Sequence, residues 1–203
     1  MQNAQAWMRR FHSPSRGELT DTARMPTDVI GQFSLTETRA ALARTPATLR
    51  ALVGQLPPDA ITFHEAPGHW SLLDVLCHVT DGEITDWIPR TQIIMSDAAD
   101  KRFTPFDMQS GFNRYRGWTA AALLDEFDRL RAESLAALDA LQIGPADLQR
   151  QGLHPEFGAV TLEQLLGTWV THDFAHLTQI ARVSTRFFGR HVGPWTKYFS
   201  LLR

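Results

Sequence analysis

His172 and His176 stand four residues apart within Thr171-His172-Asp173-Phe174-Ala175-His176. An α-helix turns once in about 3.6 residues, so side chains at i and i+4 rise from one face and can grip one ion. Around the pair, Leu165, Trp169, His172, His176, Ile180 and Val183 follow at steps of three or four, one stripe expected to face a core. A ring placed there must be neutral and hydrogen-bonded, or bound to metal, because an unsatisfied buried polar group is costly. His78 is the expected third partner, three residues after Val75 at the border of the stripe Leu72, Val75, Leu76, Val79. Three protein ligands and an open position are the pattern of catalytic zinc, whose bound water approaches neutral pKa; imidazole also suits nickel, iron and manganese. The competing reading makes all three plain core histidines, satisfied by backbone carbonyls.

Further residues group around this trio. Asp173 follows His172 as glutamate does in the zincin motif His-Glu-x-x-His, but it is one methylene shorter and no third zincin ligand follows. It is read instead as orienting a histidine through its second nitrogen, or as part of a solvated face. Gln179, near one turn beyond His176, carries the same two readings. His154, in His154-Pro155-Glu156-Phe157-Gly158, is either a proton shuttle or substrate contact, or a turn residue. Gly82, one turn beyond His78, removes a side chain and leaves room for a ligand. Cys77 precedes His78, yet adjacent helical residues point about 100° apart, so a packing thiol is expected.

The elements that must carry these residues are helical. Ser34-Leu35-Thr36-Glu37 has the form of a capping box, and Leu35, Leu42, Leu49 and Leu56 recur every seven residues behind it. Pro46 is expected to kink or restart this helix, and Pro57-Pro58 to end it. Ser71 caps a second helix, broken near Trp87-Ile88 by Pro89. A longer crossover with a short helix spans residues 96–118, and Thr119 caps a third helix stopped at Gly144-Pro145. Thr161 to Gln164 supplies a capping box for the fourth, which ends near Gly189. No long apolar–polar alternation appears. An all-α four-helix bundle with one longer crossover is the expected fold, with its metal site between facing helices.

The 203 residues suit one domain, and 20 Lys+Arg against 22 Asp+Glu leave no broad field for nucleic acid or an anionic membrane. No apolar run is long enough for a spanning helix, so a soluble chain with a small-molecule substrate is expected. A single cysteine fits a reducing cytoplasm. Residues 1–24 mix arginines with Ser13, Pro14 and Gly17 without a core-type period and are read as a flexible extension or an over-long reading frame before Met25, leaving residues 25–203 as the bundle domain.

Taken in order, Trp70-Ser71 with His78, the His154 to Gly158 segment, the run from Thr168 to Ile180, and Gly193-Pro194-Trp195 resemble the DinB/YfiT-like metalloenzymes, the DinB superfamily. The resemblance covers the chain from about Phe33 onward. It implies a four-helix bundle, a three-histidine metal site carried here by His78, His172 and His176, and a homodimer. It further implies a divalent metal, zinc or nickel before iron or manganese. The chemistry implied is thiol S-transfer with a low-molecular-weight thiol, or metal-dependent hydrolysis; a non-catalytic, metal-stabilised binding or dimerisation module is the alternative. Arg114 and Arg116 in the crossover are read as contacts for an acidic small molecule or as plain surface. The reading of residues 1–24 as a misplaced start is checked by intact mass of the native protein, which on that reading begins after residue 24.

Overall fold

The computed structural model describes residues 31–202. The extension expected at residues 1–24 lies outside them. Seven α-helices are present among the described residues: α1 (Leu35–Val53), α2 (Pro58–Ile61), α3 (Leu72–Thr85), α4 (Trp87–Met95), α5 (Ser110–Arg114), α6 (Ala120–Ala140) and α7 (Leu162–Gly189). Local chemistry sets their ends. Ser71 accepts from the Asp74 amide while the Asp74 carboxylate accepts from the Ser71 amide, and Thr161 with Gln164 repeats the exchange at α7. Thr119 caps α6 by accepting from the Ala122 amide. The break after α3 falls at Asp86, and Pro89 sits in the first turn of α4, where its missing N–H removes no helical bond.

The four long helices form the bundle, but not with consecutive helices side by side. α1 packs along α6 and α7, and α3 packs along the same two. The chain therefore crosses the diagonal twice, from α1 to α3 and from α6 to α7. The long connection at residues 96–118 joins neighbours, contrary to the single long crossover expected. A further departure is an antiparallel hairpin, β1 (Gln151–His154) with β2 (Gly158–Thr161), where the sequence reads as a loop. Gly158 turns it with φ +71°, and Gly152 lies where a Cβ would meet the Phe103 ring. The crossover chain pairs with this hairpin: the Phe103 amide donates to the Leu153 carbonyl at 2.9 Å. None of the described helices is long and apolar enough to cross a membrane.

The core joins Leu49 and Val53 of α1, Leu72, Val75, Leu76, Cys77 and Val79 of α3, Leu123, Leu124 and Phe127 of α6, and Ile180 and Val183 of α7. Within the interior lies an ion cluster. Arg131 of α6 is 1% exposed, and each of its five N–H groups has an acceptor. Nε and Nη2 donate to Glu83 of α3 at 3.0 and 2.8 Å. Nη1 and Nη2 donate to Asp173 of α7 at 2.7 and 3.1 Å. The fifth bond, Nη1 to the Leu42 carbonyl at 2.8 Å, explains how α1 runs through Pro46 without restarting there. Proline offers no N–H to the carbonyl four residues back, and that carbonyl is Leu42; the guanidinium takes the vacant place. Thr45 closes the cluster by donating to Asp173 at 2.6 Å, and the Trp169 indole donates to Glu83 at 3.3 Å. Burial works against the charge on Arg131, but the two carboxylates prevail and hold its pKa above the ordinary arginine value.

Removing one member of such a cluster strands the others in the interior. Arg131→Ala is expected to lower stability by about 3–5 kcal/mol, read from urea unfolding. Burial also pushes the Cys77 thiol up to about 11, the neighbouring Asp74 charge adding to the effect. In the native protein Cys77 should resist alkylation at pH 8 and react fully only in denaturant.

Candidate metal centre

His78 on α3 and the α7 pair meet across the interface between those helices. The His78 Nε2 lies 3.0 Å from the His172 Nε2, which lies 3.1 Å from the His176 Nε2. Nitrogens bound tetrahedrally at the usual zinc distance stand about 3.3 Å apart, so this spacing fits three ligands of one ion. All the ligand atoms lie within 4.8 Å of one another, and among the described residues no further His, Cys, Asp or Glu joins the group.

The state of the rings follows from their surroundings. His78 and His176 are 7% and 2% exposed, and His172 is the partly exposed member. Burial, then the adjoining His176, pushes His78 well below the ordinary histidine pKa; burial, the two other rings and Arg131 do the same to His172. Burial takes His176 down to about 4, against the opposing pull of Gln179 and Asp173. All three are therefore neutral at pH 7, the form that offers a lone pair. The Gln179 side-chain oxygen lies 2.9 Å from the His176 Nδ1. It accepts the hydrogen bond from Nδ1–H, which leaves the Nε2 lone pair directed toward His172, 3.1 Å away. The His172 Nδ1 is buried without a hydrogen-bond partner.

Aromatic rings surround the trio. Trp70 lies with ring centroids 5.0 Å from His78 and 6.3 Å from His176. Phe106 of the crossover meets His78 edge-on at 5.4 Å, and Trp87 meets His172 at 5.1 Å. Trp87 in turn stacks on Trp169 at 5.7 Å. The space beside Gly82 faces this indole, since a Cβ there would lie 3.5 Å from the Trp87 Nε1.

The remaining candidates fall elsewhere. Asp173 neither orients His172 nor lies on a solvated face; it is 4% exposed and bound to Arg131 and Thr45. Of the stripe read on α7, Leu165, Trp169, His176, Ile180 and Val183 are buried; only at His172 does the core face shift by one, to Asp173. His154 belongs to the hairpin turn, where its Nδ1 accepts from the Glu156 and Phe157 amides at 3.2 and 3.3 Å. Arg114 is occupied by Asp81 at 2.8 Å and Arg116 by Asn113 at 3.0 Å. Sequence reading missed Arg131 and the roles of Glu83 and Trp87. The signal for Arg131 was present: it continues the stripe Leu123, Phe127, Ser134, Leu138 at helical steps.

Comparison with known proteins agrees with the bundle fold. The solved structure of YfiT from Bacillus subtilis, described as a probable metal-dependent hydrolase with an unusual four-helix bundle topology, matches with a TM-score of 0.66. The two share 21% identity, and the match covers 81% of this chain and 93% of that one. No curated protein matches the chain. The sequence model of the DinB superfamily matches residues 41–180, more than half of the chain, and with the bundle fold in place the conclusion is that the chain belongs to the DinB superfamily.

Proposed function

We propose that this chain is a metal-dependent hydrolase of a small, largely apolar electrophile, with one divalent metal, zinc or nickel first, held by His78, His172 and His176. The observation that carries the reading is the convergence of three neutral imidazoles with no fourth ligand among the described residues. A closed set of four would point to structure; three and an open place point to catalysis. A metal in that place supplies Lewis acidity and lowers the pKa of a bound water or thiol. The chain's own part is to keep the three rings unprotonated, to fix the His176 tautomer through Gln179, and to surround the reacting centre with Trp70, Phe106 and Trp87. Such walls exclude water and favour uncharged, flat or aliphatic substrates.

Transfer of a low-molecular-weight thiol is the same chemistry with a different nucleophile. We rank it second because the basic residues that were candidates to hold an acidic thiol cofactor are engaged, Arg114 by Asp81 and Arg116 by Asn113. Elemental analysis of untagged wild type beside His78→Ala and His172→Ala tests the centre. About one transition metal per chain is expected in the wild type and none in either variant; a wild type without metal after reconstitution overturns the reading. Hydrolysis of model esters, set against conjugation of a model electrophile by added thiols, then separates the two reactions.

A further inference from the structure

The three histidines come from two helices, and nothing in the trio itself sets the register of one helix against the other. The fit is exacting, because a one-residue slip along a helix turns a side chain by about 100°. The buried guanidinium supplies the missing constraint. Glu83 lies five residues beyond His78 on α3, and Asp173 adjoins His172 on α7. Each carboxylate accepts two of the Arg131 N–H groups, at 2.8 to 3.0 Å for Glu83 and 2.7 to 3.1 Å for Asp173. A guanidinium fork is planar and rigid, so two bidentate partners have fixed positions relative to each other. The Arg131 charge also stacks on Phe127 at 4.8 Å and Trp169 at 5.2 Å, which holds its plane. A second link runs the same way. Glu83 accepts from the Trp169 indole, Trp169 stacks on Trp87, and Trp87 bears on the His172 ring.

We infer that Arg131 is a positioning residue of the metal centre: it clamps the helix that bears His78 to the helix that bears His172 and His176, so that the three Nε2 atoms meet. This rests on the metal reading above. The clamp touches none of the three rings directly and acts through Glu83, Asp173 and the tryptophan pair. Burying three charges is a costly way to stabilise a core, since apolar residues of similar volume commonly do at least as well. Specifying one register is what apolar packing does less sharply, because a greasy interface tolerates neighbouring packings.

The test titrates cobalt(II) alone into metal-stripped, full-length protein and follows both affinity and the visible ligand-field band, with circular dichroism as the check on fold. Wild type is compared with the apolar replacement Glu83→Met/Arg131→Met/Asp173→Leu and with Arg131→Lys, whose ammonium cannot reproduce two forks. The clamp predicts that both variants keep the helical spectrum, bind cobalt about 10- to 100-fold more weakly and show a shifted band. A purely structural role would change the melting temperature and leave affinity and band as in the wild type; that result in a folded variant overturns the clamp alone. If the triple variant does not fold, Arg131→Lys decides by the same readout. A wild type that binds no cobalt overturns the metal reading and the clamp with it.

Discussion

A guanidinium taken out of water keeps its charge only if every N–H finds an acceptor, and this requirement organises the protein's interior. Arg131 meets it by drawing on three other helices at once: a carboxylate from α3, a carboxylate from α7, and a bare backbone carbonyl from α1. The last depends on Pro46, which withholds the helical donor that would otherwise occupy Leu42. The single positive charge faces two negative ones, and the excess is softened by the Thr45 hydroxyl and the Trp169 indole. Without the arginine, the Leu42 carbonyl would lose this donor, and each carboxylate would lose two hydrogen bonds and its counter-charge in an apolar surrounding, keeping the Thr45 or Trp169 bond.

Two electrostatic regimes therefore sit side by side on α7. Asp173 is charged and fully bonded, whereas His172 and His176 are neutral and aimed at one point. The helix keeps them apart, because neighbouring side chains diverge by about 100°. It keeps them rigidly related too, since both faces belong to one hydrogen-bonded rod of 28 residues. The cluster needs charge to be retained in the core and the trio needs protonation to be refused. Burial serves the second purpose first, with the neighbouring rings and Arg131 adding to it at His172; charge in the cluster is kept by the exchange of hydrogen bonds around Arg131.

How much of this could be read beforehand divides along physical lines. Helix starts at Ser71, Thr119 and Thr161 were legible because a cap is a local hydrogen bond between residues three apart. The histidine pair was legible because i and i+4 share a face whatever the helix packs against. His78 is marked by its place at a stripe's border, and the structure brings it within reach of the other two. Arg131, Glu83 and Asp173 were harder: each sits where its own helix's apolar period predicts a leucine, and the reason becomes visible only when three helices are superposed. The continuity of α1 through Pro46 was hidden for the same reason, since the group that replaces its missing bond lies 89 residues from Leu42. The hairpin at residues 151–161 has strands of four residues, too short for alternation to show, and its support comes from Phe103 in another segment.

The diagonal passages of the chain carry a consequence for how the protein is made. In an up-and-down bundle, consecutive helices form hairpins that bury apolar surface early and locally. Here neither α1 with α3 nor α6 with α7 shares a side-by-side interface, so the first favourable contacts require distant segments to meet. Loop-closure entropy must be met before those contacts give anything back, which slows folding relative to helical proteins rich in local contacts. A ribosome that has released only the first three long helices presents α1 and α3 on α6, with the faces that belong to α7 still bare. The apolar surface that α1 and α3 turn toward α7 is covered only when the final helix closes the square.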